Sequence, residues 1–138
     1  MTSADDIADG VVAILNALTT DIKFTAVNPP IVPEVDRSVD DATVHVTPYE
    51  ESEESQTSTD DMMKIVRTVN VLLQCPLTDY TRAQCLAWLN QIKEGFRGAR
   101  IGRFIWDKND EQALLVSVAL KEKLQFIAQF RATFYDYA

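Results

Sequence analysis

The sequence predicts an α+β protein, with a mainly antiparallel β-sheet, two main helices packed on it and long β-hairpin arms. Residues 4–18 and 79–96 carry apolar side chains at helical spacing, whereas 62–75 and 124–138 alternate apolar and polar side chains. Only one helical segment separates two groups of strands, which favours hairpins over helical crossovers. At 138 residues, we expect residues 1–138 to form a single domain with a substantial core.

The N-terminal elements begin with a capped helix. Ser3 is the expected N-cap, and Asp5 and Asp6 suit the positive end of the helix dipole. A short strand is expected at 22–27, and the prolines that follow predict an extended connection over 28–41. The apolar stripe of the helix comprises Ile7, Val11, Ile14, Leu15 and Leu18.

A long hairpin is expected next. ATVHVTP at 42–48 alternates as a half-buried strand does, and 62–75 predicts a longer strand antiparallel to it. Arg67 is the exception among the apolar positions of that longer strand. Between the two strands, YEESEESQTSTDD at 49–61 contains six acids and no base, which predicts a flexible acidic loop at the tip of the hairpin.

The second half of the chain predicts another helix and further strands. Thr78 is the expected N-cap of the helix over 79–96. RFIWD at 103–107 and ALLVS at 113–117 predict short strands joined by the polar turn KNDEQ. ALKEKLQ at 119–125 is expected to form one helical turn before the last strand.

Several classes of protein are disfavoured by composition. The first ten residues carry no base and no segment has 18 consecutive apolar residues, which predicts a soluble intracellular protein without a secretory signal or membrane span. His45 is the only histidine, and Cys75 and Cys85 lie too far apart for a zinc motif, so we expect no metal site. The nucleotide-binding glycine motifs are absent, and we expect neither a cofactor nor enzymatic activity.

The net charge of −8 is unevenly distributed. Residues 1–61 hold fourteen acids and two bases, a balance of −12, whereas 62–138 hold eleven bases and seven acids, a balance of +4. An acidic total disfavours general binding of duplex DNA. The division suits a protein whose faces meet different surfaces, including copies of itself, although ordinary solvated charge explains it equally well. The bases Lys93, Arg97, Arg100 and Arg103 fall near GFRGAR, either as a solvated helix end or as an anchor for an acidic partner.

Segments along nearly the whole chain resemble the tail completion proteins, or tail terminators, of long-tailed bacteriophages. The N-terminal similarity lies in IADGVVAILNA, FTAVNPPIVPEVD and ATVHVTP. The C-terminal similarity lies in FRGARIG, RFIWD and LKEKLQFIAQFRATFYDY. The departures are in NPPIVPEVD and in the acidic segment.

The resemblance implies a structural virion protein without catalytic chemistry. Such proteins form a six-membered ring at the head-proximal end of the tail tube, stop its polymerisation and present a surface to the head or neck. The implied partners are the tail tube protein, a neck protein and further copies of the chain, with DNA only in transit and no membrane. The implied location is the virion tail, after synthesis in the host cytoplasm.

The acidic segment is the candidate interface or lumen site under this hypothesis. Acidic walls repel DNA and keep a transit channel from binding it. We expect deletion of 50–60 to leave the fold intact and to weaken tail capping. The candidate residues are Glu50, Glu51, Glu53, Glu54, Asp60 and Asp61.

Two other kinds of protein remain open. A head-completion or neck adaptor protein is also a small ring-former. A non-viral acidic adaptor, or an inhibitor that imitates DNA, belongs to a different class. A DNA mimic presents its acids on a rigid surface, whereas these acids are expected in a flexible loop.

Overall fold

The computed structural model of the chain describes residues 2–31, 38–55, 62–120 and 123–137. Its elements are α1 (Ala4–Asn16), β1 (Thr25–Val27), β2 (Thr43–Ser55), β3 (Met63–Pro76), α2 (Arg82–Gly95), β4 (Arg100–Ile101), β5 (Phe104–Leu120) and β6 (Lys123–Tyr137). The strands form one sheet in the order β1-β2-β3-β6-β5-β4. Only the β1–β2 pair is parallel among the described strands. The predicted α+β class, with two helices on a mainly antiparallel sheet of long strands, is confirmed.

Both helices begin with a capping box. The predicted cap of α1 is confirmed, because Ser3 Oγ accepts from the Asp6 N–H at 3.1 Å and the Ser3 N–H donates to Asp6 Oδ2 at 2.9 Å. Helix α2 is capped by Thr81 rather than by Thr78, since Gln84 stands three residues after Thr81 and completes the box. Within the described ranges, neither helix has the length and apolar character that a membrane crossing requires.

The core lies between the two helices and one face of the sheet. Phe96, at the end of α2, is fully buried and meets Phe130 and Phe134 of β6 edge-on, with ring centroids 5.9 and 6.3 Å apart. Gly10 of α1 lies so close to β4 that a Cβ there would stand 2.5 Å from Cγ2 of Ile101. The sheet therefore curls until its last strand contacts the first helix. We call the opposite side of the sheet the helix-free face.

The strands predicted at 103–107 and 113–117 are confirmed as parts of β5, but the turn predicted between them and the helical turn predicted at 119–125 are wrong. Residues 104–120 form a single strand, so the expected turn at KNDEQ lies within β5. Three register shifts in the β5–β6 pairing absorb extra residues, and the polar segment remains in the strand. No helical turn precedes β6 in the described residues, because strand pairing continues to Leu120 opposite Lys123.

The acidic loop predicted at 49–61 is also wrong over its first half. Strand β2 continues to Ser55, which pairs with Met63 of β3. The main chain of this segment is hydrogen-bonded to β3, and one of its faces meets water. It can therefore form a strand without an apolar residue at every second position. Residues 56–61, including Asp60 and Asp61, lie outside the described residues.

Candidate functional site

The four glutamates of β2 are divided between the two faces of the sheet. Glu51 stands opposite Arg67, on the helix side, and Glu53 follows on the same side. Glu50 and Glu54 stand opposite Thr68 and Lys64, on the helix-free face. The candidate residues therefore form two groups with different neighbours rather than one mobile cluster.

Glu51 and Glu53, on the helix side, connect the start of α1 to the β2–β3 hairpin. The Ala4 N–H donates to Glu51 Oε1 at 2.6 Å, which places a carboxylate at the positive end of the helix. Arg67, 3% exposed, donates from Nε to the Thr2 carbonyl at 3.0 Å and lies 3.9 Å from the Glu53 carboxylate. Deletion of 50–60 removes these contacts, so we now expect it to destabilise the fold rather than leave it intact.

The helix-free face contains an open groove of about 350 Å³ between the β2–β3 and β5–β6 hairpins. Its charged lining consists of the carboxylates of Glu50, Glu54, Asp107 and Asp110 and the cations of Lys64, Lys108 and Arg131. Four carboxylates against three cations leave the groove with a formal charge of −1. The groove is therefore a hydrated surface of mixed charge.

Two cations of this face are held over aromatic rings. The Arg131 guanidinium lies 3.6 Å from the centroid of Tyr49, and Lys64 Nζ lies 5.1 Å from the centroid of Tyr135. The Arg131 Nε is buried and has no hydrogen-bond partner among the described residues. The polar positions of β6 indicate that Arg131 faces away from the core, but no sequence signal indicates that Tyr49 stacks on it.

The histidine and cysteines lie away from the groove. His45 of β2 is half-buried, and burial lowers its pKa. Cys75 and Cys85 are buried in the core next to each other, and burial raises the pKa of both thiols. The part of the chain that the structure describes contains no group of three His, Cys, Asp or Glu side chains placed to hold a metal ion.

Two long stretches of sheet edge are open. Strand β1 pairs only with Thr43–His45 of β2, and β4 pairs only with Phe104–Ile105 of β5. Residues 46–55 and 106–120 therefore have no outer strand neighbour among the described residues. These stretches lie at opposite sides of the sheet, so one molecule offers two different edges.

A second charged group lies beside β4. Gly98 and Gly102, with φ of 69° and 60°, form the turns that bring Arg97, Arg100 and Arg103 to the end of α2 and the edge of the sheet. All three arginines are exposed, Arg97 to 73% and Arg103 to 80%.

Lys93 does not belong to this exposed group. Its Nζ lies 5.9 Å from the ring centroid of Phe130, and its side chain is half-buried. The structure therefore places the three arginines beside β4 at the edge of the sheet, whereas Lys93 lies over the core.

Comparison of the chain with known proteins finds no matching family model and no matching curated protein. The resemblance to phage tail completion proteins therefore rests on the sequence segments quoted above.

Proposed function

We propose that this protein is a tail terminator of a long-tailed bacteriophage. Six copies form a ring on the head-proximal end of the tail tube, where the ring stops addition of tube subunits. The opposite side of the ring then receives the head or neck. The protein acts by shape and by binding, without a catalytic step.

The observation that carries this proposal is the pair of open edges on one sheet. An exposed edge is a surface that a partner chain tends to cover. Because 46–55 and 106–120 lie on opposite sides of the sheet, each copy has one edge for each neighbour. Head-to-tail association through two different surfaces closes into a ring when the rotation between neighbours divides a full turn.

The helix-free face suits the wall of a channel through which DNA passes. Its groove is polar and has a formal charge of −1, so it does not supply the excess of cations that retains phosphate. Of the candidate residues, Glu50 and Glu54 lie on this face, at its open edge. Glu51 and Glu53 have structural contacts on the other face instead.

The groove does not favour a DNA mimic, although the described glutamates lie on a strand rather than on a loop. Lys64 stands directly opposite Glu54, and Arg67 contacts Glu53 at 3.9 Å. The cations interrupt the acidic surface, whereas a mimic of the phosphate backbone needs an uninterrupted one.

Negative-stain electron microscopy of the protein, alone and mixed with tubes assembled from tail tube protein, tests the proposal. Six-fold rings, or density at one end only of each tube, are expected. A chain that leaves tube ends bare but binds the portal vertex of DNA-filled heads is a neck adaptor. A chain that binds neither structure refutes a role in head–tail joining.

A further inference from the structure

The most acidic and the most basic parts of the sheet lie at opposite edges and at the same height. Pairing runs from Ser52 of β2 to Val66, then to Tyr135 and Ile105, and finally to Arg100 of β4. These five residues form one row across the sheet. With strands about 4.8 Å apart, the two ends of the row are separated by roughly 19 Å along the sheet.

The two ends of this row carry opposite charges. Ser52 is flanked by Glu50 and Glu54 on its own face, and neither carboxylate has a hydrogen bond or ion pair to another described residue. We call Glu50 and Glu54 the acidic edge. At the other end, Arg100 is exposed and has no partner within the described ranges.

The charges beside Arg100 are only weakly engaged. The Arg97 contact with Glu94, at 3.3 Å, joins two side chains that are both mostly exposed. Arg103 lies 3.8 Å from the Asp136 carboxylate and donates to the Tyr137 carbonyl at 3.3 Å, yet its side chain remains 80% exposed. We call Arg97, Arg100 and Arg103 the basic edge.

We propose that the acidic edge of one copy binds the basic edge of the next copy, and that this contact is the repeating interface of the ring. Arginine forms bidentate pairs with carboxylates, so the basic edge suits such a surface. The partner is therefore a second copy of this chain. The inference rests on the proposed ring and names the surface that builds it.

The position of the two edges makes the contact head-to-tail. A two-fold dimer places the same patch of both copies at one contact, and here that brings like charges together. Side-by-side placement instead brings opposite charges to one height, because both edges lie on the same row. Each added copy leaves one acidic and one basic edge free for the next neighbour.

Side chains rather than new strand pairing form the contact. Pro48 cannot donate a main-chain hydrogen bond, and the strand bulges between Pro48 and Glu50. The register of β5 shifts three times along its open edge. Prolines and bulges of this kind keep sheet edges from pairing further. Because the contact is formed by charged side chains, we expect salt to weaken it.

Complementary charge reversal tests the interface. The variant Glu50→Lys/Glu54→Lys has two basic edges, and Arg100→Glu/Arg103→Glu has two acidic edges. Light scattering coupled to size-exclusion chromatography at 50 mM salt should show wild-type rings and a monomer for each variant alone. Mixed in equal amounts, the two variants should form an alternating ring, because each edge then meets an opposite charge.

Two matched controls separate this surface from net charge and from misfolding. Asp79→Lys and Arg82→Glu reverse exposed charges at the start of α2 and should leave the wild-type ring intact. Circular dichroism of every variant should show the wild-type spectrum. Recovery on mixing itself shows that both double variants are folded.

The outcomes distinguish the interface from the proposed function. If both double variants still form rings like those of the wild type, the proposed interface is wrong and the terminator proposal stands. Variants that dissociate but do not recover on mixing also overturn the interface. A wild-type chain that remains monomeric at 50 mM salt, alone and on tail tubes, overturns both.

Discussion

Removal of Arg67 should destabilise the fold through lost hydrogen bonds rather than through a lost ion pair. Arg67 is 3% exposed and donates to the carbonyls of Thr2 and Val66, both at 3.0 Å, and of Ser52 at 3.3 Å. Its contact with Glu53 is 3.9 Å long, and the glutamate side chain is 46% exposed. The buried guanidinium therefore satisfies three main-chain acceptors.

The magnitude follows from these contacts. A hydrogen bond to a charged group contributes about 1.5–3 kcal/mol. Arg67→Met loses the two shorter hydrogen bonds, but the methionine side chain keeps part of the packing of the arginine stem. We therefore expect the free energy of unfolding to fall by about 3 kcal/mol. Loss of a half-exposed ion pair in Glu53→Gln should cost at most about 0.5 kcal/mol. For a chain of this length, 1 kcal/mol corresponds to roughly 3 °C in Tm. We expect decreases of about 10 °C for Arg67→Met and about 2 °C for Glu53→Gln.

Thermal and urea unfolding followed by circular dichroism measures both changes, in 0.5 M salt so that ionic contacts between copies are screened. Arg67→Lys is the matched control, since it keeps the charge but presents a single donor group; we expect an intermediate loss. Equal losses for Arg67→Met and Glu53→Gln would refute the reasoning, because the ion pair would then be the main contribution.

Three further predictions concern the core, the histidine and a turn. Phe96→Ala removes a ring packed on Phe130 and Phe134 and should cost about 3–5 kcal/mol in urea unfolding, whereas Phe96→Leu should cost about 1 kcal/mol; similar losses would contradict the packing. Burial lowers the pKa of His45, so the unfolded chain binds a proton at this residue more readily than the folded chain. The free energy of unfolding should therefore fall as pH drops below about 6.5. His45→Gln should reduce this dependence of the free energy of unfolding on pH between about pH 7.5 and 5.5. Gly102→Ala places a side chain at φ 60° and should cost about 1 kcal/mol, while Gly102→Asn should cost less; equal stability of wild type and alanine variant would contradict this.

The sequence predicts the elements whose pattern is local. The capped start of α1, the antiparallel pairing of 42–48 with 62–75 and the strand over 124–137 depend on residues close together in the chain, and all three are confirmed, although Leu124 is exposed and Gln125 is buried. The sequence also favours Thr81 over Thr78 as the cap of α2, because Gln84 completes a capping box with Thr81, whereas a threonine stands three residues after Thr78.

The remainder depends on contacts between distant residues. A polar segment predicts a loop when its neighbours are unknown, which is why both 49–55 and 108–112 were expected outside strands. In the fold, main-chain pairing to β3 and β6 satisfies these segments. The row from Ser52 to Arg100 joins five strands and cannot be read from any single segment.

One extra residue in β2 determines which acids face which side. Pro48 stands opposite Val69, Tyr49 is extruded, and Glu50 then stands opposite Thr68. With strict alternation, Glu50 would stand opposite Arg67 and, together with Glu54, would face the helices, while Glu51 and Glu53 would face away from them. The bulge reverses this assignment, so that Glu51 and Glu53 flank the buried cation while Glu50 and Glu54 remain at the open edge. A single inserted position thus determines which two glutamates lie beside the buried cation and which two lie at the open edge of the helix-free face.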